Sequence, residues 1–216
     1  MTKSESSYKG GIGSKKGLEV LLSRLEGFEE PKVRVEQYST DASIAAEVLW
    51  QAYMKGDIGK VSVDLGCGTG ILGIGLLVLG AGKVYFVDAD QKVIDGAREN
   101  LAKVKSEYTL SGEVVFRCVD INDFEGVVDL VVQNPPFGTK VRHMDKVFLK
   151  KAFEGGKVVY SFHKSETKKF VESFSRDNNF IITDVFDFEF KLKATMGHHL
   201  KKIKHVNVSC FRMEKK

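Results

Sequence analysis

Residues 60–79, KVSVDLGCGTGILGIGLLVL, decide the fold class. Residues 60–65 are short, apolar and β-branched and therefore predict a buried strand. Residues 71–79 are almost entirely apolar and predict a helix. The glycines between them let the backbone turn tightly and come close to a ligand, because glycine has no Cβ. This order of strand, glycine loop and helix is typical of a parallel α/β sheet.

The same alternation continues along the rest of the chain. Further strands are predicted at residues 83–87, 113–119, 127–133 and 157–162. Further helices are predicted at residues 18–27, 41–55, 91–104, 144–153 and 165–177. Two longer strands, residues 180–190 and 203–213, close the chain without a helix between them. We therefore expect a Rossmann-like α/β fold with a seven-stranded, mostly parallel sheet, an antiparallel C-terminal hairpin and helices on both faces.

Composition predicts one folded, soluble unit. The 216 residues are 43% hydrophobic and carry a net charge of +4, which excludes wholesale disorder and permits an anionic partner. Residues 1–15 are expected to form a flexible tail and residues 16–216 a single domain, which includes N-terminal helices within residues 16–55. No apolar stretch is long enough to span a bilayer, so we expect a cytoplasmic protein without a membrane partner. Three separated cysteines argue against disulfides and against a metal site.

Acidic residues after successive strands decide the interpretation of the glycine loop. Gly68 to Gly73 formally match the GxGxxG pattern of dinucleotide-binding proteins, with Asp88 at the distance of a ribose-binding acid. Asp64 would, however, repel a pyrophosphate, whereas it would attract the ammonium group of a methionine-derived ligand. Asp88 can accept hydrogen bonds from both ribose hydroxyls, and Asp120 can accept one from an adenine amino group. These acids predict a cationic, phosphate-free nucleoside such as S-adenosylmethionine.

A rigid turn, Asn134-Pro135-Pro136-Phe137, follows the fourth predicted strand. The Asn134 side chain and the Pro135 backbone each offer a carbonyl that could hold the hydrogens of an amine on a conjugated ring. Phe137 could stack on that ring. Two such acceptors would favour pyramidal nitrogen and direct its lone pair at a sulfonium methyl, so that catalysis would depend on positioning rather than on a general base. The turn therefore predicts methyl transfer to an amine on a flat acceptor.

Together these motifs resemble a known family. Residues 64–70 and 134–137 resemble the class I amino-methyltransferases that use S-adenosylmethionine. Further segments resemble the family of the eukaryotic methyltransferase-like protein five and its archaeal relatives, namely residues 27–32, 36–40, 134–140 and 160–165. The resemblance covers about residues 17–213. It implies a methyltransferase that modifies adenine N6 in small-subunit ribosomal RNA, with Asn134, Pro135, Pro136 and Phe137 holding the target base.

The resemblance also implies most of the cofactor contacts. Asp64, Gly68 and Gly70 are added to them from the motif of the glycine loop. The expected set is Gln37, Thr40, Asp64, Gly66, Gly68, Thr69, Gly70, Ile71, Asp88, Asp120 and Ile121. Ser39 stands where the eukaryotic form has proline, and Thr69 stands where it has cysteine. Both replacements preserve a small side chain, so we expect little change in the chemistry.

Positive charge in the second half predicts where RNA would bind. The expected phosphate contacts are Lys140, Arg142, His198, His199, Lys201, Lys202 and Lys204. They fall after the Asn-Pro-Pro-Phe turn and in residues 191–204, the connection of the last two strands, which is basic and carries few acids. Lys146, Lys150 and Lys151 are expected over the same edge of the sheet. The target adenine must be unstacked or single-stranded to enter the site.

A protein partner is also implied by the resemblance, namely a small zinc-binding activator subunit of the Trm-one-one-two type. The third strand should be a sheet edge, with Val114, Val115 and Phe116 exposed and open to strand addition. An edge covered by the chain's own N-terminal helix is the alternative.

Other interpretations of the motifs stay open at this point. A protein-glutamine methyltransferase uses the same Asn-Pro-Pro logic on a side-chain amide. An NAD-binding oxidoreductase would explain the glycine loop but not residues 134–137, and a non-catalytic binding subunit would keep the fold without the reaction. His163, expected just past the fifth strand, is either an RNA contact or a structural hydrogen-bonding residue. Cys67 has no neighbouring base in the sequence that would make it a nucleophile.

Overall fold

A computed structural model of the chain describes residues 12–27, 40–136, 144–193 and 203–216. The helices within these ranges are α1 Lys15–Leu22, α2 Ala42–Met54, α3 Ile71–Val78, α4 Gln91–Glu107, α5 Met144–Gly155 and α6 Lys168–Asp177. The strands are β1 Val61–Leu65, β2 Lys83–Asp88, β3 Glu113–Cys118, β4 Val128–Gln133, β5 Gly156–Lys164, β6 Phe180–Lys193 and β7 Ile203–Lys215. Short 3-10 turns occupy Ile121–Asp123 and Ser165–Thr167.

Within the described residues, the strands form one sheet in the order β3-β2-β1-β4-β5-β7-β6. β1 lies at its centre, with Asp64 opposite Phe86 of β2 and Val132 of β4. β7 is antiparallel to both of its neighbours, whereas the remaining pairs of strands are parallel. The predicted sheet and its C-terminal hairpin are therefore confirmed.

Helices cover both faces of the sheet. Helices α1–α4 pack on one face, where Phe86, Val132 and Tyr160 join their hydrophobic cluster. Helices α5 and α6 pack on the other face, together with Leu65 and Val131. Neighbouring residues of a strand point to opposite faces, and both faces are covered. Residues at odd and at even positions are therefore buried. The strands therefore read as continuous apolar runs in the sequence.

The N-terminal edge of the folded part lies before the predicted boundary at residue 16. Ser14 caps α1, because its hydroxyl accepts a hydrogen bond from the Gly17 backbone, and Ile12 packs against the hydrophobic cluster on that face. A serine side chain at this position satisfies an N–H group that the first helical turn leaves unpaired. Residues 12–15 therefore belong to the fold rather than to the tail. Residues 1–11 lie outside the described residues.

The C-terminal hairpin is longer than predicted. β6 continues through Lys193 and pairs with β7 from Ile203 onwards. Phe186, Phe188 and Phe190 supply apolar side chains at every second residue, and all three pack against the cluster on the α1–α4 face. This alternation is typical of a strand, and pairing with β7 extends it beyond the predicted end by residues 191–193. Lys204 consequently lies in β7 and not in the connection, which spans residues 194–202 and lies outside the described residues.

The prediction that the third strand is a sheet edge is confirmed, whereas its apolar side chains are less exposed than predicted. Among the described strands β3 pairs with β2 alone, and Val114, Val115 and Phe116 are half-buried. The N-terminal helix α1, considered above as a cover for this edge, packs against α2 and α3. Among the described helices, none combines the length and the apolar content that a membrane crossing requires.

Gly73 in α3 should not tolerate a side chain. An added Cβ would lie 2.4 Å from the Phe86 ring, which is fully buried and stacked on Phe116. We expect Gly73→Ala to lower the free energy of unfolding by about 1–3 kcal/mol, because the ring has to move within a packed core. The matched control is Gly96→Ala in α4, whose nearest neighbour would be 3.9 Å away.

Gly96→Ala should raise stability by about 0.5–1 kcal/mol through helix propensity. Urea denaturation of both variants measures the two effects. Equal midpoints for both would contradict the close packing of α3 on β2.

Candidate active site

The two predicted loops flank the point where the strand order reverses. The glycine loop leaves β1, from which the chain proceeds outward to β2 and β3. The Asn134-Pro135-Pro136 turn leaves β4, on the other side of β1, from which the chain proceeds towards β5. Both loops leave the carboxyl ends of parallel strands. In open α/β sheets, ligands bind in the crevice at such a reversal.

Positive backbone φ angles make glycine necessary in the first loop. Gly66, Gly68 and Gly70 have φ values of 68°, 54° and 87°, a region that side chains disfavour. The backbone N–H groups of Gly66 and Cys67 donate to the Val87 carbonyl at 2.8 and 2.9 Å. A Cβ on Gly66 would also lie 2.8 Å from the Phe148 ring. The loop is thus held against β2, and its shape requires glycine at residues 66, 68 and 70.

Asp64 is a buried acid beneath this loop. It is 1% exposed, and one carboxylate oxygen accepts a hydrogen bond from the Gly73 backbone at 2.7 Å. Burial raises its pKa to about 7, the Gly73 hydrogen bond opposes this rise, and the nearby charge of Asp88 adds to it. A cation beside the carboxylate would favour its ionised form. Burial also raises the pKa of the Cys67 thiol well above its usual range, which disfavours a thiolate nucleophile.

The other two predicted acids follow along the same edge. Asp88 ends β2, and its two oxygens accept hydrogen bonds from Gly68 at 3.1 Å and from Asp90 at 3.0 Å. Burial raises the pKa of this carboxyl too. Asp120 is exposed and caps the 3-10 turn in which Ile121 is buried. The three acids therefore line the ends of β1, β2 and β3.

Asn134 carries an acceptor that is buried and unsatisfied. Its amide Nδ2 donates to the Thr40 hydroxyl at 2.9 Å, whereas its Oδ1 atom has no hydrogen-bond partner among the described residues. Leaving such an atom unpaired costs about 1–3 kcal/mol. Pro135 is buried and Pro136 half-buried, so the turn that carries this acceptor is fixed at both prolines. A ligand N–H group would satisfy the carbonyl.

Asn100 is a residue of this site that the sequence analysis missed. It is 1% exposed, and its amide nitrogen donates to the carbonyls of Thr69 at 3.0 Å and Glu26 at 2.9 Å. Its oxygen accepts from the Glu26 N–H at 2.9 Å. The side chain therefore joins the glycine loop to the segment after α1. A polar residue between Ala97, Leu101 and Val104 on the apolar face of α4 was the available signal.

His163 lies inside β5, not beyond it as predicted, and is 2% exposed. Its Nε2 atom lies 2.6 Å from the Ser161 hydroxyl, which also accepts from Gln133 Nε2 at 2.9 Å. Burial lowers the pKa of His163 to about 3, so the ring is neutral. Such a buried ring cannot contact RNA. Of the two roles considered, the structure supports the hydrogen-bonding one, beneath the Asn-Pro-Pro turn.

Several predicted contacts lie outside the described residues: Gln37, Phe137, Lys140, Arg142, His198, His199, Lys201 and Lys202. Lys151 was expected near the RNA, but its ammonium group donates to the Phe124 carbonyl at 3.2 Å and pairs with Glu154 at 3.0 Å. Lys150 lies 3.9 Å from the same glutamate. Both ammonium groups therefore have a partner on the body of the protein, and contact of either lysine with RNA stays a prediction.

Comparison with known proteins adds a family to this geometry. The family model of the methyltransferase small domain matches residues 38–158, which include both loops and all three acids. The chain belongs to the methyltransferase small domain family. It is therefore a methyltransferase, and the oxidoreductase interpretation of the glycine loop is wrong.

Relatives of the methyltransferase match it over nearly their whole length. An uncharacterized protein of Methanocaldococcus jannaschii is 37% identical, over 93% of this chain and 94% of its own. The rRNA N(6)-adenosine-methyltransferase METTL5 of Danio rerio is 34% identical, over 91% of this chain and 97% of its own. The crystal structure of a Pyrococcus horikoshii protein, a candidate RNA methyltransferase, is 40% identical with a TM-score of 0.84, over 94% and 98% of the two chains.

The methyl donor of this family is S-adenosylmethionine, and the described site fits it. Asp64 is a buried carboxyl that a cation would stabilise. Gly66, Gly68 and Gly70 carry the chain over it with positive φ angles. Asp88 is a second carboxyl, half-buried at the end of β2, the strand next to β1. The acids of the methyltransferase thus have the charge and the placement that a cationic nucleoside requires.

Replacing Asp64 should change how stability depends on pH. The pKa of this carboxyl is higher in the folded protein than in the unfolded chain, so the unfolded chain loses its proton first as the pH rises. Stability therefore falls between about pH 4 and about pH 7 and then levels off. Asp64→Asn lacks this loss and should gain up to about 4 kcal/mol relative to the wild type across that window.

Chemical denaturation at several pH values measures this difference. The matched control is Asp95→Asn, at an exposed position of α4, which should follow the wild-type curve at every pH. A constant difference between Asp64→Asn and wild type would show that Asp64 is ionised throughout.

Proposed function

We propose that this methyltransferase transfers the methyl group of S-adenosylmethionine to the exocyclic N6 of an adenine in small-subunit ribosomal RNA. The single observation that carries the proposal is the unpaired Oδ1 atom of Asn134, buried beside the cofactor loop. A buried acceptor of this kind suits a substrate N–H group. The zebrafish relative is named for the same reaction on ribosomal RNA. The assignment to the small subunit rests on the resemblance of the motifs.

The cofactor half of the proposed site consists of acids and glycines. S-adenosylmethionine supplies an electrophilic methyl group on a sulfonium. Asp64 would neutralise the ammonium group, Asp88 would accept from the ribose hydroxyls, and Asp120 would accept from the adenine amino group. Gly66, Gly68, Thr69, Gly70 and Ile71 would line the loop, while Ile121 would contact the base. Gln37 and Thr40 complete the set that the resemblance implies.

The target half of the proposed site is the Asn134-Pro135-Pro136-Phe137 turn. Asn134 Oδ1 and the Pro135 carbonyl would each accept one hydrogen of the N6 amino group, and Phe137 would stack on the ring. Two acceptors favour a pyramidal nitrogen whose lone pair is available for attack. The attacking amine is neutral and its extra proton can leave to water after transfer. The residues therefore act by orientation and electrostatics.

RNA is the proposed substrate because an adenine on a polynucleotide brings phosphates to the edge of the site. Lys140, Arg142, His198, His199, Lys201, Lys202 and Lys204 are the proposed phosphate contacts. Such contacts would make binding weaken with salt. The base itself would enter unstacked, since the acceptors are buried within the crevice. We place the reaction in the cytoplasm, where ribosomal RNA is available.

A zinc-binding activator subunit is proposed at the β3 edge. The strand pairs with β2 alone among the described strands and leaves Val114 and Val115 half-buried. An added strand from a partner would complete the backbone hydrogen bonds of this edge. Full activity of the purified chain, without any partner, would remove this part of the proposal.

Asn134→Ala should abolish methylation while leaving the cofactor site intact. We expect the rate of N6-methyladenosine formation to fall by at least about 100-fold, since one of the two acceptors is lost. The measurement is nucleoside mass spectrometry on unmodified small-subunit ribosomal RNA incubated with labelled S-adenosylmethionine, supplemented with cell lysate when the purified chain is inactive. Calorimetric binding of the cofactor should remain within about twofold of wild type, because Asn134 is assigned to the target base.

The matched control is Asn178→Ala. This asparagine also uses its amide nitrogen in one hydrogen bond, to the Phe174 carbonyl at 2.8 Å, at the opposite edge of the sheet. The Asn178→Ala variant should form N6-methyladenosine at the same rate as wild type. Label in protein instead of RNA would favour the glutamine methyltransferase. Cofactor binding without any labelled product, even in lysate, would support a non-catalytic subunit.

Cofactor affinity should fall when the pH drops below about 7. The raised pKa of Asp64 means that the free protein is protonated there, so binding of a cation must release a proton. Linkage then predicts a loss of affinity that approaches about tenfold for each pH unit between about pH 7 and pH 5.5. Calorimetry in buffers of different ionisation enthalpy measures both the affinity and the released proton. An affinity independent of pH would place the ammonium group away from Asp64.

A further inference from the structure

Thr40 connects the start of α2 to the Asn-Pro-Pro turn. The threonine is 5% exposed and directly precedes Asp41, the N-cap residue of α2. Its hydroxyl accepts the hydrogen bond from Asn134 Nδ2 at 2.9 Å, across 94 residues of sequence. The other end of the same amide, Oδ1, is the unpaired buried acceptor. One hydroxyl thus contacts the group on which the proposed reaction depends.

The two ends of an asparagine amide are nearly the same size but opposite in chemistry. Rotation by half a turn about the last side-chain bond exchanges the NH₂ group with the carbonyl oxygen, and this torsion is broad and roughly two-fold. With the amide rotated, two donors would face each other, the NH₂ group of Asn134 and the amine of the target base. The Thr40 hydroxyl can hold the NH₂ group on the α2 side, so that only the carbonyl faces the crevice.

We propose that Thr40 is a positioning residue of the methyl-transfer reaction, whose hydroxyl fixes the Asn134 amide with Oδ1 directed at the target nitrogen. This inference rests on the proposed function, because it assigns a purpose to the free carbonyl. For the Thr40 hydroxyl it replaces the cofactor contact that the family resemblance implies. A cofactor contact controls the affinity for S-adenosylmethionine, whereas a positioning residue controls the rate once both substrates are bound.

The protein holds this hydroxyl in a fixed place. The Asp41 carboxylate accepts hydrogen bonds from the Ser43 N–H at 2.8 Å and from the Ser43 hydroxyl at 2.6 Å, which closes the first turn of α2. Ala45, Val48 and Leu49 then anchor the helix in the core, each no more than 1% exposed. Threonine is branched at Cβ and has a stiff first side-chain torsion. The hydroxyl is therefore positioned by the buried helix and not by the turn that it orients.

Two substitutions at Thr40 separate the roles. Thr40→Val keeps the shape and removes the hydroxyl, whereas Thr40→Ser keeps the hydroxyl. For Thr40→Val we expect the single-turnover rate at saturating S-adenosylmethionine and ribosomal RNA to fall about 10- to 100-fold, the range for loss of an orienting polar contact. Its dissociation constant for the cofactor should stay within about twofold of wild type. Thr40→Ser should recover the rate to within about threefold of wild type.

The matched control is Thr183→Val in β6. The Thr183 hydroxyl likewise accepts a hydrogen bond, from Arg212 at 2.6 Å, but in the C-terminal hairpin. Its single-turnover rate should equal that of wild type. An equal loss of rate in Thr183→Val, a Thr40→Val variant that loses cofactor affinity at an unchanged rate, or a Thr40→Ser variant as slow as Thr40→Val would each overturn the proposal.

A measurement without RNA distinguishes this proposal from the proposed function. The Asn134 side-chain amide gives a pair of NMR signals, identified by their loss in Asn134→Ala. In Thr40→Val these signals should shift and exchange faster with solvent, and in Thr40→Ser they should stay close to wild type. Unchanged signals in Thr40→Val would overturn the positioning role. If the expected shifts appear while the wild type forms no methyladenosine, the amide is oriented as proposed and the proposed function is wrong.

Discussion

The hydrogen bond from the Gly73 N–H to the Asp64 carboxylate is the contact on which the rest of the site depends. It joins the end of β1 to the first turn of α3, so that the glycine loop between them is closed around a buried acid. Gly73 permits this approach because a side chain there would meet Phe86. The same burial raises the pKa of Asp64, and a cation beside the carboxylate would stabilise its ionised form. One buried group therefore serves both the turn and the proposed cofactor chemistry.

Strand alternation carries the second half of the site. Val132 packs on the α1–α4 face of the sheet, while Gln133 bonds to Ser161 beside His163, whose ring packs on Phe211 of the opposite face. The next residue, Asn134, returns to the α2 side, where Thr40 lies. Pro135 then has no N–H group for another ladder bond, and the strand ends. Strand alternation therefore decides on which face of the sheet the Asn134 side chain lies.

Local signals in the sequence predicted most of the fold. Buried parallel strands are apolar on both faces, and glycines and prolines mark their ends. The sequence therefore predicted β1, β4 and the turn after each of them. Contacts between distant segments leave no such signal. Asn100 bonds to Glu26 across 74 residues, and Thr40 bonds to Asn134 across 94. The predicted place of His163 was wrong for another reason: β5 runs to Lys164, two residues beyond the predicted end of the strand.

The charges near the loops favour a mechanism without a general base. His163 is neutral because burial lowers its pKa to about 3, and its Nε2 atom already faces the Ser161 hydroxyl. The Cys67 thiol stays protonated because burial raises its pKa. Asp64 lies on the cofactor side, beneath the glycine loop. The Asn134 carbonyl accepts hydrogen bonds but does not take up protons near neutral pH. In the proposed reaction the protein therefore contributes orientation, and the proton passes to solvent after the methyl group has moved.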